Sequence, residues 1–353
     1  MDERTLRILT LARLPGFGAH RIGRLVRAGG VDELIEAPRR FRDVIGEAAV
    51  ASLESAKERE AASSTLRLAT SKGQSVAVLG SAGYPASLAA IYDPPPILFF
   101  RGSLRSGVRR VAIVGARGAT PWGRSLARDL ARGLAAHGIE VISGLARGID
   151  GSAHEGALLG HGTTLAVLGS SVDIVYPAEH KGLAARIESQ GAVISELPPG
   201  TPPVPSQFPS RNRIIVGLAE AVIVVEAGSR SGALITTRLA LDEGRDVLAV
   251  PGRPADPLSY GPNLMIRDGA TLVRGLEDVL EHLGIEGVSE KDLSSPPDKI
   301  LQQLKDSAVK SIDQLAVDTG LAPSFLMSRL SELELDGKVE RLPGTLFRSA
   351  GPA

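Results

Sequence analysis

The stretch VISGLARGIDGSAHEGAL, residues 141–158, sets Gly144, Arg147 and Gly148 between an apolar run and an alanine-rich segment. Glycine permits positive φ and lets a ligand come close to the backbone, while the first N–H groups of a helix lack intrahelical partners. An arginine in the same turn adds a cation, so the chemistry suggested is anion binding at a helix N-terminus. Ser143 ends the apolar run, and Asp150 and His154 follow at a spacing that puts both on one helix face. They read either as an acid/base pair or as a helix cap beside a packed histidine. No second carboxylate, serine or metal ligand is spaced to complete a reaction centre, so neither catalysis nor a metal site is expected.

Three further turns have a related composition. GARGATPWGRS, starting at Gly115, lacks the G-x-G-x-x-G spacing, so no nicotinamide or flavin cofactor is expected. Gly115 and Arg117 there form either an anion-binding turn or a tight turn with a surface arginine. EAGSRSGALITTR places Gly228, Ser229, Ser231 and Gly232 before a helix, a second phosphate-type cradle without the P-loop pattern. In FPSRNRIIVGL, Ser210 is expected to cap a helix whose first turn holds Arg211, Asn212 and Arg213. Cations at a helix N-terminus oppose its dipole. Either a bound polyanion offsets this, or the arginines pair internally with Glu196 or Glu226.

These turns lie at the ends of strands. SVAVLG, RVAIVGA, EVISGLA, TTLAVLGS, AVISEL, AVIVVEA and DVLAVPG are near-continuous apolar runs separated by helical segments, which predicts a doubly wound, mostly parallel α/β sheet. Ligands of such sheets bind beyond the carboxyl ends of the strands. Residues 1–72 read as a helical domain, in which Leu14, Pro15, Gly16 and Gly18 before a basic amphipathic run resemble a helix-hairpin-helix turn or simply join two packed helices. Residues 73–285 form the sheet domain and 286–297 a Ser/Pro linker. Three short helices and a hairpin in 298–353 suggest a winged helix, near charge balance and so better suited to protein contact or weak DNA contact than to groove reading.

The 353 residues include no cysteine, which excludes disulfides and thiolate chemistry and makes a cytoplasmic protein the default. The N-terminus has neither a signal-peptide core nor a membrane span. Net charge is zero, but residues 101–150 hold nine arginines against Asp129, Glu140 and Asp150. Arg124, Arg128 and Arg132 recur every four residues and read as a solvated helix face. Aromatics make up 3% of the chain, so phosphate contacts should outweigh base stacking, with Phe208 the first candidate to stack.

Taken in order, VAIVGARGATPWG, VISGLARGIDGSAHEGAL, AVLGSSVDIVYPAEH, VISELPPG, FPSRNRIIVGL, VIVVEAGSRSGALITT and AVPG resemble the DNA-processing protein A (DprA/Smf) family over about residues 80–275. The resemblance implies an extended Rossmann-like domain with a SAM-like helical N-terminal domain and a C-terminal winged helix. It also implies a non-enzymatic homodimer that binds and protects single-stranded DNA and loads RecA recombinase in natural transformation, with single-strand-binding protein a candidate partner. Carried over by position, the implied DNA pocket comprises Arg117, Ser143, Gly144, Arg147, Gly148, Phe208, Arg211, Asn212, Arg213, Ser231 and Gly232. Ser171 and Val172 stand where the family usually has a glycine and a hydrophobe. The alternative is a nucleotide-handling enzyme resembling the LOG phosphoribohydrolases, against which the loop AGSRSGALITTR lacks the expected glutamate.

Overall fold

In the computed structural model, the described residues are 3–14, 17–285, 299–304, 309–319, 323–335, 338–343 and 346–350. They divide into two compact units, 1–285 and 286–353. The first unit begins with helices α1 (Glu3–Ala12), α2 (Ala19–Arg27), α3 (Val31–Glu36), α4 (Arg42–Ile45), α5 (Glu47–Glu54) and α6 (Ala56–Ser71). Pro15 and Gly16 of the expected hairpin turn lie outside the described residues.

The sheet strands follow: β1 (Ser75–Val78), β2 (Ile97–Gly102), β3 (Arg110–Val114), β4 (Glu140–Ser143), β5 (Thr164–Val167), β6 (Ala192–Ser195), β7 (Ala221–Val224), β8 (Asp246–Ala249) and β9 (Thr271–Leu272). Between and after them come α7 (Ala86–Ala89), α8 (Pro121–Ala136), α9 (Ile149–Leu159), α10 (Lys181–Gln190), α11 (Gln207–Leu218), α12 (Gly232–Asp242), α13 (Tyr260–Arg267) and α14 (Leu276–His282). The strand order is β1-β2-β6-β5-β4-β3-β7-β8-β9. Neighbours from β6 to β9 pair parallel, while β2 pairs antiparallel with both β1 and β6.

All residues of β3 to β7 are buried, as expected of strands covered on both faces. Alternate side chains feed two layers. Ala112, Ile142, Leu165 and Val222 pack under α11, α12 and α13, and Val111, Val141 and Ile223 pack under α8 and α9. Thr120 starts α8 by accepting the Gly123 N–H at 3.0 Å, with Pro121 at the first helical position, where its missing N–H costs nothing. Arg124 and Arg132 are exposed on that helix, and half-buried Arg128 pairs with Glu155 at 2.8 Å.

Among the described residues the helical N-terminus shares its core with the sheet. Leu6, Ile8, Leu11, Ile22 and Leu66 form one buried cluster with Val78, Ile97, Phe99 and Val193 of the sheet. The expected boundary at residue 72 is therefore a change of secondary structure, not a gap between cores. The second unit holds α15 (Lys299–Gln303), α16 (Ile312–Thr319) and α17 (Pro323–Leu335) with a three-stranded sheet β10-β12-β11, made of β10 (Lys310–Ser311), β11 (Val339–Leu342) and β12 (Leu346–Ser349). Leu304, Leu315, Leu330 and Phe347 fill its separate core. This is a winged helix.

Candidate functional site

The sheet changes winding direction between β3 and β7: the chain leaves β3 through α8 to β4 on one side, and leaves β7 through α12 to β8 on the other. A crevice opens at the carboxyl ends there, as topology requires. It is an open groove of about 750 Å³ lined by Gly115 and Arg117 after β3, Ala146 and Asp150 after β4, Tyr176 after β5, Phe208 and Asn212 near the start of α11, and Gly228 to Ala233 after β7. The N-terminal ends of α9, α11 and α12 all reach it, and their partial positive charges add to the arginines.

Arg117 is exposed, and its guanidinium carbon lies 5.2 Å from the centroid of the Phe208 ring. Phe208 in turn meets Tyr176, with centroids 5.7 Å apart and planes tilted by 48°. Packing Phe208 against Gly169, where an added Cβ would approach the ring to 2.9 Å, fixes this cation and aromatic cluster on the groove wall. Ser231, also lining the groove, caps α12 by accepting the Ala233 N–H at 3.2 Å. Gly232, with no heavy atom near a virtual Cβ, leaves the helix start open. Arg230, between Ser229 and Ser231, is exposed and lines the groove. The residue set drawn from the sequence omits Arg230; the only local signal is a cation inside a small-residue loop at a strand end.

The glycine turn after β4 differs from the expectation. Its anion is internal: Asp150 Oδ2 accepts the Gly144 N–H at 3.1 Å and the Ala146 N–H at 3.4 Å. Burial pushes the Asp150 pKa up, opposed by Arg211 and by both N–H donors. Gly144 does not make room for a ligand, because the Arg211 guanidinium occupies the space a Cβ would need. Gly148 has φ +74°, and the Ala116 carbonyl lies against its missing Cβ. Ser143 is fully buried and donates to the Ile113 carbonyl at 2.6 Å, so it does not reach the groove.

The FPSRNR segment is also corrected. Helix α11 begins at Gln207, one turn before Ser210, so Arg211 and Arg213 are not in its first turn. Pro209 falls in that first turn, where proline is tolerated because its N–H would be unpaired anyway. Arg211 is 5% exposed. Its Nη1 donates to the Gly144 carbonyl at 2.6 Å and to the Val167 carbonyl, bridging the ends of β4 and β5, and its Nε reaches the Asn212 side-chain oxygen at 3.2 Å. Burial lowers its pKa to about 10, with Asp150 acting in the opposite direction. Arg213 turns away from the groove into ion pairs with Glu196 and, at 3.2 Å, Asp93. Glu226, the other acid considered for it, instead accepts the Thr120 N–H at 2.8 Å.

Arg147 flanks a smaller recess formed with Arg117, Tyr176 and Phe208. It is exposed and held bidentately by Glu179, with Nη2 to Oε2 at 3.0 Å. His154 does not face Asp150. It is fully buried, bonded through Nδ1 to Thr164 Oγ1 at 2.7 Å, and burial lowers its pKa to about 3. No group of three His, Cys, Asp or Glu among the described residues is placed to hold a metal ion. No helix among them is long and apolar enough to cross a membrane.

A family model described as DNA recombination-mediator protein A matches residues 74–284, and one described as the DprA winged helix domain matches 286–345. Protein Smf of Escherichia coli (strain K12) is 39% identical over 280 residues, 75% of this chain and 75% of that protein. The DNA processing protein DprA of Streptococcus pneumoniae (strain ATCC BAA-255 / R6) is 44% identical over 198 residues, 56% of this chain and 70% of that protein. The X-ray structure of DNA processing protein A from Streptococcus pneumoniae superposes with a TM-score of 0.67 at 35% identity, covering 80% of this chain and 98% of that one. DNA processing protein A from Helicobacter pylori, described for its single-stranded DNA binding mode, superposes with a TM-score of 0.53 at 28% identity, covering 59% and 95%. The matched segments are those that build the groove and the winged helix, and the chain belongs to the DNA-processing protein A family.

Proposed function

We propose that this chain is a non-enzymatic, cytoplasmic single-stranded DNA binder that protects incoming DNA and loads RecA recombinase, acting as a homodimer, with single-strand-binding protein as a further partner. The observation that carries the DNA reading is the pairing, in one open groove, of exposed cations at Arg117 and Arg230 with the Phe208–Tyr176 aromatic wall. Phosphates suit the cations and the start of α12, and an unpaired base suits the aromatic faces. The Helicobacter relative's single-stranded DNA binding supports the same reading. Recombinase loading and dimerisation rest on family membership. Within the groove, Arg117, Arg230, Asn212, Ser231 and Gly232 are the proposed contacts; Arg211, Gly144 and Gly148 hold its shape, and Arg147 joins when Glu179 releases it.

The test is binding of length-matched single-stranded and double-stranded oligonucleotides at two salt concentrations, with RecA filament assembly followed on the single strand. Preference for the single strand and faster assembly are expected. Equal affinity for both forms removes the DNA reading, and preferred binding without faster assembly removes recombinase loading alone.

A further inference from the structure

The basic run of α2 plays no part in the groove. The helix exposes Arg21, Arg24 and Arg27 at three-residue spacing and buries Ile22 and Gly23. Gly23 lies against Pro94, 3.0 Å from a virtual Cβ to Cγ, and Arg27 donates to the Ala89 carbonyl at 3.2 Å. Helix α2 is thus docked on the segment before β2. At its start the His20 ring stacks on Tyr92 with centroids 4.2 Å apart and planes at 21°, yet Tyr92 remains 69% exposed. Asp93, the next residue, pairs with Arg213 on α11, the helix that also carries Arg211 and Phe208. Glu243 accepts the Tyr92 N–H at 3.1 Å.

We propose that the exposed face of α2 and the His20–Tyr92 stack form a second contact for single-stranded nucleic acid. The arginines take backbone phosphates and the outer face of Tyr92 takes an unpaired base. Charge complementarity selects a polyanion, and a stacked ring with an open outer face selects a strand whose bases are free. The inference rests on the groove reading only in assigning both contacts to one strand.

The experiment compares binding of oligothymidylates of about six and about thirty nucleotides, one within and one well beyond a single site's span, by the full chain and by its Arg24→Ala, Tyr92→Leu and Arg117→Ala variants. Arg24→Ala and Tyr92→Leu should each weaken the long strand by about tenfold, the effect of one lost stack or phosphate contact. Arg24→Ala should flatten its salt slope by about 0.7. The short strand and the melting temperature should stay as they are. Unchanged long-strand affinity in both variants overturns the second contact, whatever Arg117→Ala does. Loss of binding at both lengths in Arg117→Ala alone supports the groove and not this face. Altered sedimentation of the free Arg24→Ala variant with unchanged DNA binding marks a protein interface and equally overturns the proposal.

Discussion

Arg211 keeps a charge where few side chains do, beneath the groove and across two strand ends. Its hydrogen bonds to the Gly144 and Val167 carbonyls and its field on Asp150 tie β4, β5 and the glycine turn together. Removing the guanidinium strands a buried carboxylate and two carbonyls, so Arg211→Ala should cost about 3 kcal/mol or more in urea unfolding. An unchanged midpoint would show the strut to be dispensable. His154 gives a pH-dependent counterpart. Its folded pKa of about 3 lies below the ordinary 6.5, so below about pH 6.5 the unfolded chain gains a proton that the folded one refuses. Its contribution is complete above that pH and is lost as pH falls toward 3, at about 1.4 kcal/mol per pH unit. The stability difference between the native chain and His154→Gln, followed by urea unfolding from about pH 7 down to 4, should change with that slope. A constant difference would mean that His154 does not set it.

At the scale of elements, the two glycines of the β4–α9 turn should separate by mechanism. Gly148→Ala forces a side chain to positive φ against a backbone carbonyl that cannot move aside, a loss of about 1 to 3 kcal/mol before the clash is counted. Gly144→Ala displaces Arg211, so its effect and that of Arg211→Ala should be non-additive, the double variant unfolding near the midpoint of the worse single one. Full additivity would separate the two sites. Strands β3 to β8 were legible because β-branched runs largely covered on both faces carry no polar alternation to confuse them. Strands β2 and β9 are missing from the expected set: ILFFRG follows three prolines and pairs antiparallel beyond the parallel core, and β9 is only the two residues Thr271–Leu272. The role of Gly144 was illegible for a different reason: its partner is 67 residues away, and a glycine under an arginine reads locally like a glycine under a phosphate. The groove's chemistry was legible at Arg117 and Ser231, which lie in the loops after β3 and β7, and the internal pairing of Arg213 was legible in the alternative partner Glu196 but not in Asp93, which comes from a segment with no matching signal.

On the scale of the whole molecule, cores decide what can be cut away. The unit from 286 onward has its own buried cluster, so a chain ending at residue 285 should fold and keep most of its single-strand affinity. Loss of solubility would show the winged helix to be integral. Removing residues 1–72 instead uncovers Val78, Ile97 and Phe99, which share a core with α1, α2 and α6, and should give an aggregating product; a soluble, cooperatively melting one would contradict the shared core. The central claim, that the groove neutralises DNA backbone charge through Arg117, is tested most directly by the salt dependence of single-strand binding for the native chain and Arg117→Ala. The logarithm of affinity should fall linearly with the logarithm of salt concentration, and the variant should lose about 0.7 from the slope, one phosphate contact, at an unchanged melting temperature. A slope identical to that of the native chain would contradict the groove as the DNA site.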